Sequence, residues 1–166
     1  MNIDYKNPLN EEFIRENQNE VNWFNICIFQ NLNEDFIIEF QDKVNWEIIS
    51  KYQILSENFI REFQDKVDWY WISINQKLSE NFIREFQNKV DWYWISKYQE
   101  LNENFIIEFQ NKITWYIISS HQKLSEKFIR KFKDKIYWKF LLEKYGFSLI
   151  KSSCKYKIKS DNYCSD

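Results

Sequence analysis

A repeat of 23 residues constrains the fold of this chain more than any other feature. One Trp marks each copy at the same position: Trp23, Trp46, Trp69, Trp92, Trp115 and Trp138. The six units cover 138 of the 166 residues: 9–31, 32–54, 55–77, 78–100, 101–123 and 124–146. A lead of residues 1–8 precedes them, and a basic tail of residues 147–166, which we expect to be mostly flexible, follows them. A fixed period of this length indicates an array of stacked structural repeats.

Each unit reads as two short helices. In unit 55–77, Ser56 and Asp68 are helix-capping residues twelve positions apart, so each helix has room for only about two turns. Glu57 places a carboxylate in the positive first turn. The equivalent caps of the other units are Asn10, Asn33, Ser79, Asn102 and Ser125 for the first helix, and Asn22, Asn45, Asp91 and Thr114 for the second, with Tyr137 as the exception. The sequence therefore predicts an all-α solenoid of six stacked helical hairpins, in which the sole Gly, Gly146, ends the last helix.

The two helices of a hairpin differ in how their apolar residues are arranged. At 100° per residue, the first or outer helix has one apolar stripe, formed in unit 55–77 by Phe59, Ile60 and Phe63. The second or inner helix has Trp69 on one face and Trp71 on the opposite face. A helix with two apolar sides is either an inner layer covered on both sides or a surface that displays aromatic residues to a partner.

The composition and charge of the chain exclude several classes of function. The chain has one Gly, one Pro and no Ala, which excludes Gly-rich phosphate loops and nucleotide-binding fingerprints. Its net charge is −2, but residues 124–166 carry +6 and residues 1–123 carry −8. No segment resembles a signal peptide or a membrane span, and the three cysteines are too few and scattered for a disulfide framework. We expect a soluble, intracellular protein in a reducing compartment, with no membrane partner.

The repeat also has a recognisable signature. Units 55–77 and 78–100 show L-[SN]-E-x-F-I-x-x-F-x-[DN]-K-[VI]-x-W-x-x-I-S-x-x-Q most cleanly. This pattern resembles the short Trp-rich repeats of proteins encoded by large DNA viruses of amoebae, and the resemblance covers residues 9–146. It implies a viral, AT-rich source and a location in the host cytoplasm. It implies no catalytic residue and no ligand.

Few residues depart from the repeat in a way that indicates chemistry. His121, the only histidine, occupies the position of Phe29 and Tyr98, so a tolerated substitution explains it better than catalysis. Cys27 stands where other units have Ser, which favours packing as a small residue. Cys154 and Cys164 lack the paired spacing that zinc sites need. We therefore predict no enzyme activity, no metal and no cofactor.

Ser73 and Gln76, with their equivalents, recur on the same face as Trp69. They are either a hydrogen-bonded ladder that links inner helices and turns, or contacts to a ligand. The ladder is the simpler reading, because buried amides must be satisfied.

Two surfaces remain as candidate sites. The first is an aromatic row that recurs at the spacing of the repeats, for which core packing is the simpler alternative: Tyr70, Trp71, Tyr93, Trp94, Tyr98 and Tyr116. The second is the basic end of the chain: Arg130, Lys131, Lys133, Lys135, Lys151, Lys155, Lys157 and Lys159. The first predicts a non-enzymatic scaffold that binds a host or viral protein. The second predicts binding of nucleic acid or another polyanion.

Overall fold

The computed structural model describes residues 3–145, and within that range all regular secondary structure is α-helical, with no β-strand. The helices alternate between outer and inner at intervals of about eleven residues, which confirms the predicted all-α repeat array. Their bounds are α1 (Glu11–Glu16), α2 (Trp23–Phe29), α3 (Glu34–Glu39), α4 (Trp46–Tyr52), α5 (Glu57–Glu62), α6 (Trp69–Asn75), α7 (Glu80–Glu85), α8 (Trp92–Tyr98), α9 (Glu103–Glu108), α10 (Trp115–His121), α11 (Glu126–Lys131) and α12 (Trp138–Tyr145). The predicted flexible tail and the stop at Gly146 lie outside the described residues.

The chain divides into two compact parts, with the boundary inside the fourth repeat. We call the part up to Asp91 unit 1 and the part from Trp92 unit 2. In unit 1 the inner helices follow one another side by side, with α4 packed between α2 and α6. In unit 2 the inner helix α10 packs between α8 and α12 in the same way.

The predicted helix starts are largely confirmed. All six outer helices begin after the expected Asn or Ser, whose side chain accepts a backbone N–H bond in the first turn. Asn22, Asn45 and Asp68 do the same for inner helices. Thr114 precedes α10 but makes no capping bond with its side chain. Its backbone N–H instead donates to the hydroxyl of Ser96 at 3.1 Å, so a side chain of the preceding repeat holds this helix start.

The outer helices end without glycine because they run directly into a tight turn. At Phe63, the C-cap of α5, φ is −102°, so no left-handed conformation is required there. The N–H groups of Lys66 and Val67 both donate to the Phe63 carbonyl, at 2.9 and 3.1 Å. Glycine is therefore dispensable at these C-caps, which explains how the chain can fold with a single Gly.

The core is built from the same positions in successive repeats. An outer helix buries a Phe–Ile pair, such as Phe59 and Ile60, and an inner helix buries an Ile followed by a small residue, such as Ile72 and Ser73. The marker Trp of each repeat lies against two phenylalanines of the next, as Trp46 does with ring centroids 6.1 and 5.2 Å from those of Phe59 and Phe63. Trp23, Trp69, Trp92 and Trp115 repeat this contact.

The lead completes the first repeat. The side-chain amide of Gln30 donates to the carbonyls of Tyr5 and Asn7 at 2.7 and 3.2 Å, and its oxygen accepts from the Leu9 N–H at 2.7 Å. The Tyr5 hydroxyl accepts from the Asn22 N–H at 2.7 Å. Residues 5–9 thus supply to repeat one the polar contacts that a preceding repeat supplies elsewhere in unit 1.

Candidate interaction surface

The recurring serines are structural. Ser50 donates from Oγ to the Trp46 carbonyl at 2.7 Å and accepts at the same atom from the Asp68 N–H at 2.9 Å. The hydroxyl therefore joins its own helix to the start of the next inner helix. Both contacts recur at Ser73, Ser96 and Ser119.

The recurring glutamines complete the ladder. Gln53 is buried; its Oε1 accepts from the Leu32 N–H at 2.9 Å, and its Nε2 donates to the carbonyls of Cys27 and Gln30 at 2.9 and 2.8 Å. Gln76 and Gln122 make the equivalent three contacts in units 1 and 2. The ladder reading is confirmed, and these side chains are committed to internal bonds rather than to a ligand.

The recurring first-turn glutamates do more than the sequence predicts. Glu34 lies in the first turn of α3, where it suits the helix dipole. Its two carboxylate oxygens also accept from the backbone N–H and hydroxyl of Ser56, the next outer cap, at 2.6 and 3.1 Å. Glu103 and Ser125 repeat this pair in unit 2. These carboxylates are tied to neighbouring repeats, not arranged as an acid–base pair.

The predicted aromatic row lies at the surface. Tyr70, Tyr93, Tyr98 and Tyr116 are 44, 43, 49 and 48% exposed, while Trp71 and Trp94 are half-buried. The opposite side of each inner helix is buried, as Ile72 in α6 shows. The core-packing reading is therefore wrong for the tyrosines, because nothing in the described chain covers that side of the inner helices.

Lysine side chains lie over some of the rings of this row. In unit 1, the Lys51 ammonium lies 4.0 Å from the Trp71 ring centroid and 5.1 Å from that of Tyr52. In unit 2, the Lys97 ammonium lies 5.2 Å from the Trp94 ring and 5.0 Å from the Tyr98 ring. The face therefore combines aromatic rings with cations held over them.

Sequence reasoning missed other exposed members of this side. Phe24, one residue after its marker Trp like Tyr70, is 52% exposed. Ile54, in the turn after α4 rather than on the helix, is 89% exposed at a repeat position that is Asn, Lys, Glu or Gly in the other repeats. The further members are Phe29, Tyr52 and Tyr137. The sequence contained a signal for three of them: Phe24 shares the repeat position of Tyr70, and Phe29 and Tyr52 share that of Tyr98. We call this exposed side of the inner helices the aromatic face.

The outer helices present a charged surface instead. Arg15 and Arg61 each donate from Nε to a glutamate of the next repeat, Glu39 and Glu85, at 2.9 Å. These pairs are partly exposed, so water and salt screen them and they add little to stability. The hydrogen bond to Glu39, followed by the Glu11 contact, raises the pKa of Arg15. A surface with its charges paired in this way offers less to a partner than the aromatic face does.

Some residues of the predicted basic end are bonded to other residues of the chain. Arg130, Lys131, Lys133 and Lys135 are all exposed. Arg130 pairs with Glu126 one turn earlier, and Lys135 donates to the Gln110 amide oxygen at 2.9 Å. Lys151, Lys155, Lys157 and Lys159, which the sequence groups with them, lie outside the described residues.

The two unusual residues of the repeat have no catalytic surroundings. His121 is exposed, and its Nδ1 lies 2.6 Å from the hydroxyl of Ser120, its neighbour on the same helix surface. Cys27 is fully buried, and burial raises the pKa of its thiol. Between residues 3 and 145 no three His, Cys, Asp or Glu side chains are grouped as metal ligands. Cys154 and Cys164 fall outside that range.

Comparisons of the chain with protein-family models, with curated proteins and with solved structures find no match. Among the helices from α1 to α12, none is long and apolar enough to cross a bilayer.

Proposed function

We propose that this protein is a non-enzymatic repeat scaffold that binds a protein partner through its aromatic face. One observation carries the proposal: a row of tyrosines is exposed where the opposite side of the same helices is sealed by a buried core. Stability does not require large aromatic residues at exposed positions, whereas protein interfaces are enriched in Tyr and Trp.

The proposal extends to the setting of the protein. The signature of units 55–77 and 78–100 supports a viral source, and with it a role in the host cytoplasm and a host or viral partner. We place the binding residues on the inner helices because repeat arrays present extended surfaces along consecutive repeats.

The test is affinity capture from an amoeba lysate with three forms of the full chain. The variant Y70S/Y93S/Y116S removes exposed rings, and the variant R61S/E85S serves as a control on the outer helices. We expect a partner that the wild type and the control retain and the tyrosine variant loses, while circular dichroism shows unchanged helix content. Loss of helix in the tyrosine variant, or capture that ignores the substitutions, would contradict the proposal.

A second candidate function is binding of nucleic acid or another polyanion through α11 and the following turn. Lys131 favours it, since this position is Glu in the earlier repeats and the side chain is exposed. Binding of a 20-nucleotide DNA strand should then weaken steeply with salt, and R130Q/K131Q/K133Q should flatten that dependence by about two to three counterions. A salt-independent signal, or an unchanged slope in the variant, would exclude this candidate.

A further inference from the structure

The aromatic face of unit 2 is rich in hydrogen-bond donors. It is formed by Tyr93, Trp94, Lys97, Tyr98, Tyr116, Tyr137 and Lys139, together with one exposed carboxylate, Glu143, at the repeat position of Lys97. The phenolic hydroxyls of Tyr98, Tyr116 and Tyr137 make no hydrogen bond to any residue from 3 to 145, and neither Lys97 nor Lys139 has a carboxylate within ion-pair distance there. The face is therefore suited to a ligand that supplies negatively charged acceptors.

The rings of this face already contact one another. Trp94 lies parallel to Tyr98 with centroids 5.6 Å apart, and Tyr93 meets Trp94 edge-on at 4.7 Å. Tyr116 meets Tyr137 and Phe140 edge-on at 5.3 and 4.9 Å. Stacking of nucleobases needs open ring faces. Contacts between the rings reduce that area, and they leave hydroxyls, ring edges and ammonium groups as the groups a partner can reach.

Net charge favours the same kind of ligand. Residues 92–145 contain ten Lys and Arg against six Asp and Glu, a net charge of +4, whereas residues 1–91 contain nine against seventeen, a net charge of −8. The field around unit 2 attracts acidic segments, and that of unit 1 repels them. Five of the ten cations belong to α11 and the turn that follows it, so they act on the face only at long range.

We propose that the aromatic face of unit 2 binds an acidic polypeptide segment of another protein. Carboxylates of the segment accept hydrogen bonds from the tyrosine hydroxyls and pair with Lys97 and Lys139, while apolar side chains between them pack on the ring edges. This inference rests on the proposed function and names the chemistry of its partner. A polypeptide fits better than a nucleic acid because it brings both carboxylates and apolar groups, and because the rings already pack together.

The test measures fluorescence anisotropy of labelled 12-residue probes with the full chain. The acidic probe repeats Glu-Glu-Phe, a neutral control repeats Gln-Gln-Phe, and a third probe is a 12-nucleotide thymidine strand. We expect the acidic probe to bind at least tenfold more tightly than the neutral one. The variant Y98F/Y116F/Y137F keeps the rings but removes the hydroxyls, and should weaken acidic-probe binding about tenfold.

Matched variants separate this site from the others. K97Q/K139Q should also weaken the acidic probe by about tenfold, whereas the equivalent unit 1 variant K51Q/Y52F should change its affinity less than threefold. Acidic-probe binding that ignores the three Tyr→Phe changes would overturn the inference. So would tighter binding of the thymidine strand through the same tyrosines, or wild-type self-association, seen by sedimentation velocity, that these changes abolish.

The outcomes also distinguish this inference from the proposed function. If Y98F/Y116F/Y137F binds the acidic probe like the wild type, yet Y70S/Y93S/Y116S loses its captured partner, the scaffold function stands and the acidic segment is wrong. If neither variant affects any binding, both fail.

Discussion

Gln53 shows how single residues hold the repeats together. Its amide makes three hydrogen bonds at a site that is only 4% exposed, and each bond satisfies a backbone group at the junction of two repeats. Buried backbone groups without partners cost about 1–3 kcal/mol each. Such a position tolerates no other side chain easily, because few have both a donor and an acceptor at the required length.

We expect Gln53→Met, which keeps the length of the side chain, to lower the free energy of unfolding by about 2–4 kcal/mol, because one N–H and two carbonyls lose their partner. Urea denaturation followed by circular dichroism measures the change. Asn31→Ala, at an exposed position, is the control and should stay within about 0.5 kcal/mol. A Gln53→Met protein as stable as the control would mean that water replaces the amide.

Cys27 gives a residue-scale prediction about pH. Burial raises its pKa in the folded state, so the unfolded chain releases this proton first. Stability from this group is complete below the ordinary thiol pKa of about 8.5 and declines as pH rises above it. Cys27→Ser should remove that decline without loss of stability at pH 7, because Ser fits the same position in other repeats. Unfolding free energies of both proteins at pH 7 and 9.5 test this, and parallel pH dependences would contradict it.

At the scale of elements, helices of six to eight residues depend on their neighbours. The sequence located the starts of these helices well, because capping residues act locally. It did not reveal that the same caps are bonded by the preceding repeat, as Ser125 is by Glu103. Those bonds depend on how repeats are placed in space, which local spacing does not encode.

A comparison of two caps in unit 2 tests this point. Ser125→Ala should cost about 1–2 kcal/mol, because its hydroxyl accepts from the Phe128 N–H at 3.2 Å and donates to Glu103. Thr114→Ala should cost less than about 0.5 kcal/mol, since that side chain makes no capping bond. Thermal and urea unfolding measure both. Equal losses would show that residue type alone, not the observed bond, sets the contribution of a cap.

At the scale of the whole chain, the first repeat departs from the others at positions that, in later repeats, contact the marker Trp of the preceding repeat. Asn17 replaces the second Phe, and Glu20 replaces the Lys that lies over a marker Trp in later repeats, as Lys66 does over Trp46. The lead then satisfies the remaining backbone groups through Tyr5 and Asn7.

We expect Tyr5→Phe to destabilise the first repeat locally by about 1 kcal/mol, because the Asn22 N–H loses its acceptor. Native-state hydrogen exchange should show faster exchange in α1 and α2 and unchanged exchange in α6. Tyr52→Phe, whose hydroxyl bonds to no described residue, is the matched control. Uniform acceleration in all helices of unit 1 would mean that the lead stabilises the unit as a whole.

Periodicity, capping and burial of Phe and Ile are local properties, so the repeat, the helix pairs, their starts and most of the core could be predicted from the sequence alone. It also identified the Ser–Gln ladder as the simpler reading. Which side of the inner helices is covered could not be predicted, because a helix apolar on two sides has the same sequence pattern whether one layer or two pack on it. Ile72 lies in the core and Tyr70 at the surface because neighbouring repeats reach only one side of that helix.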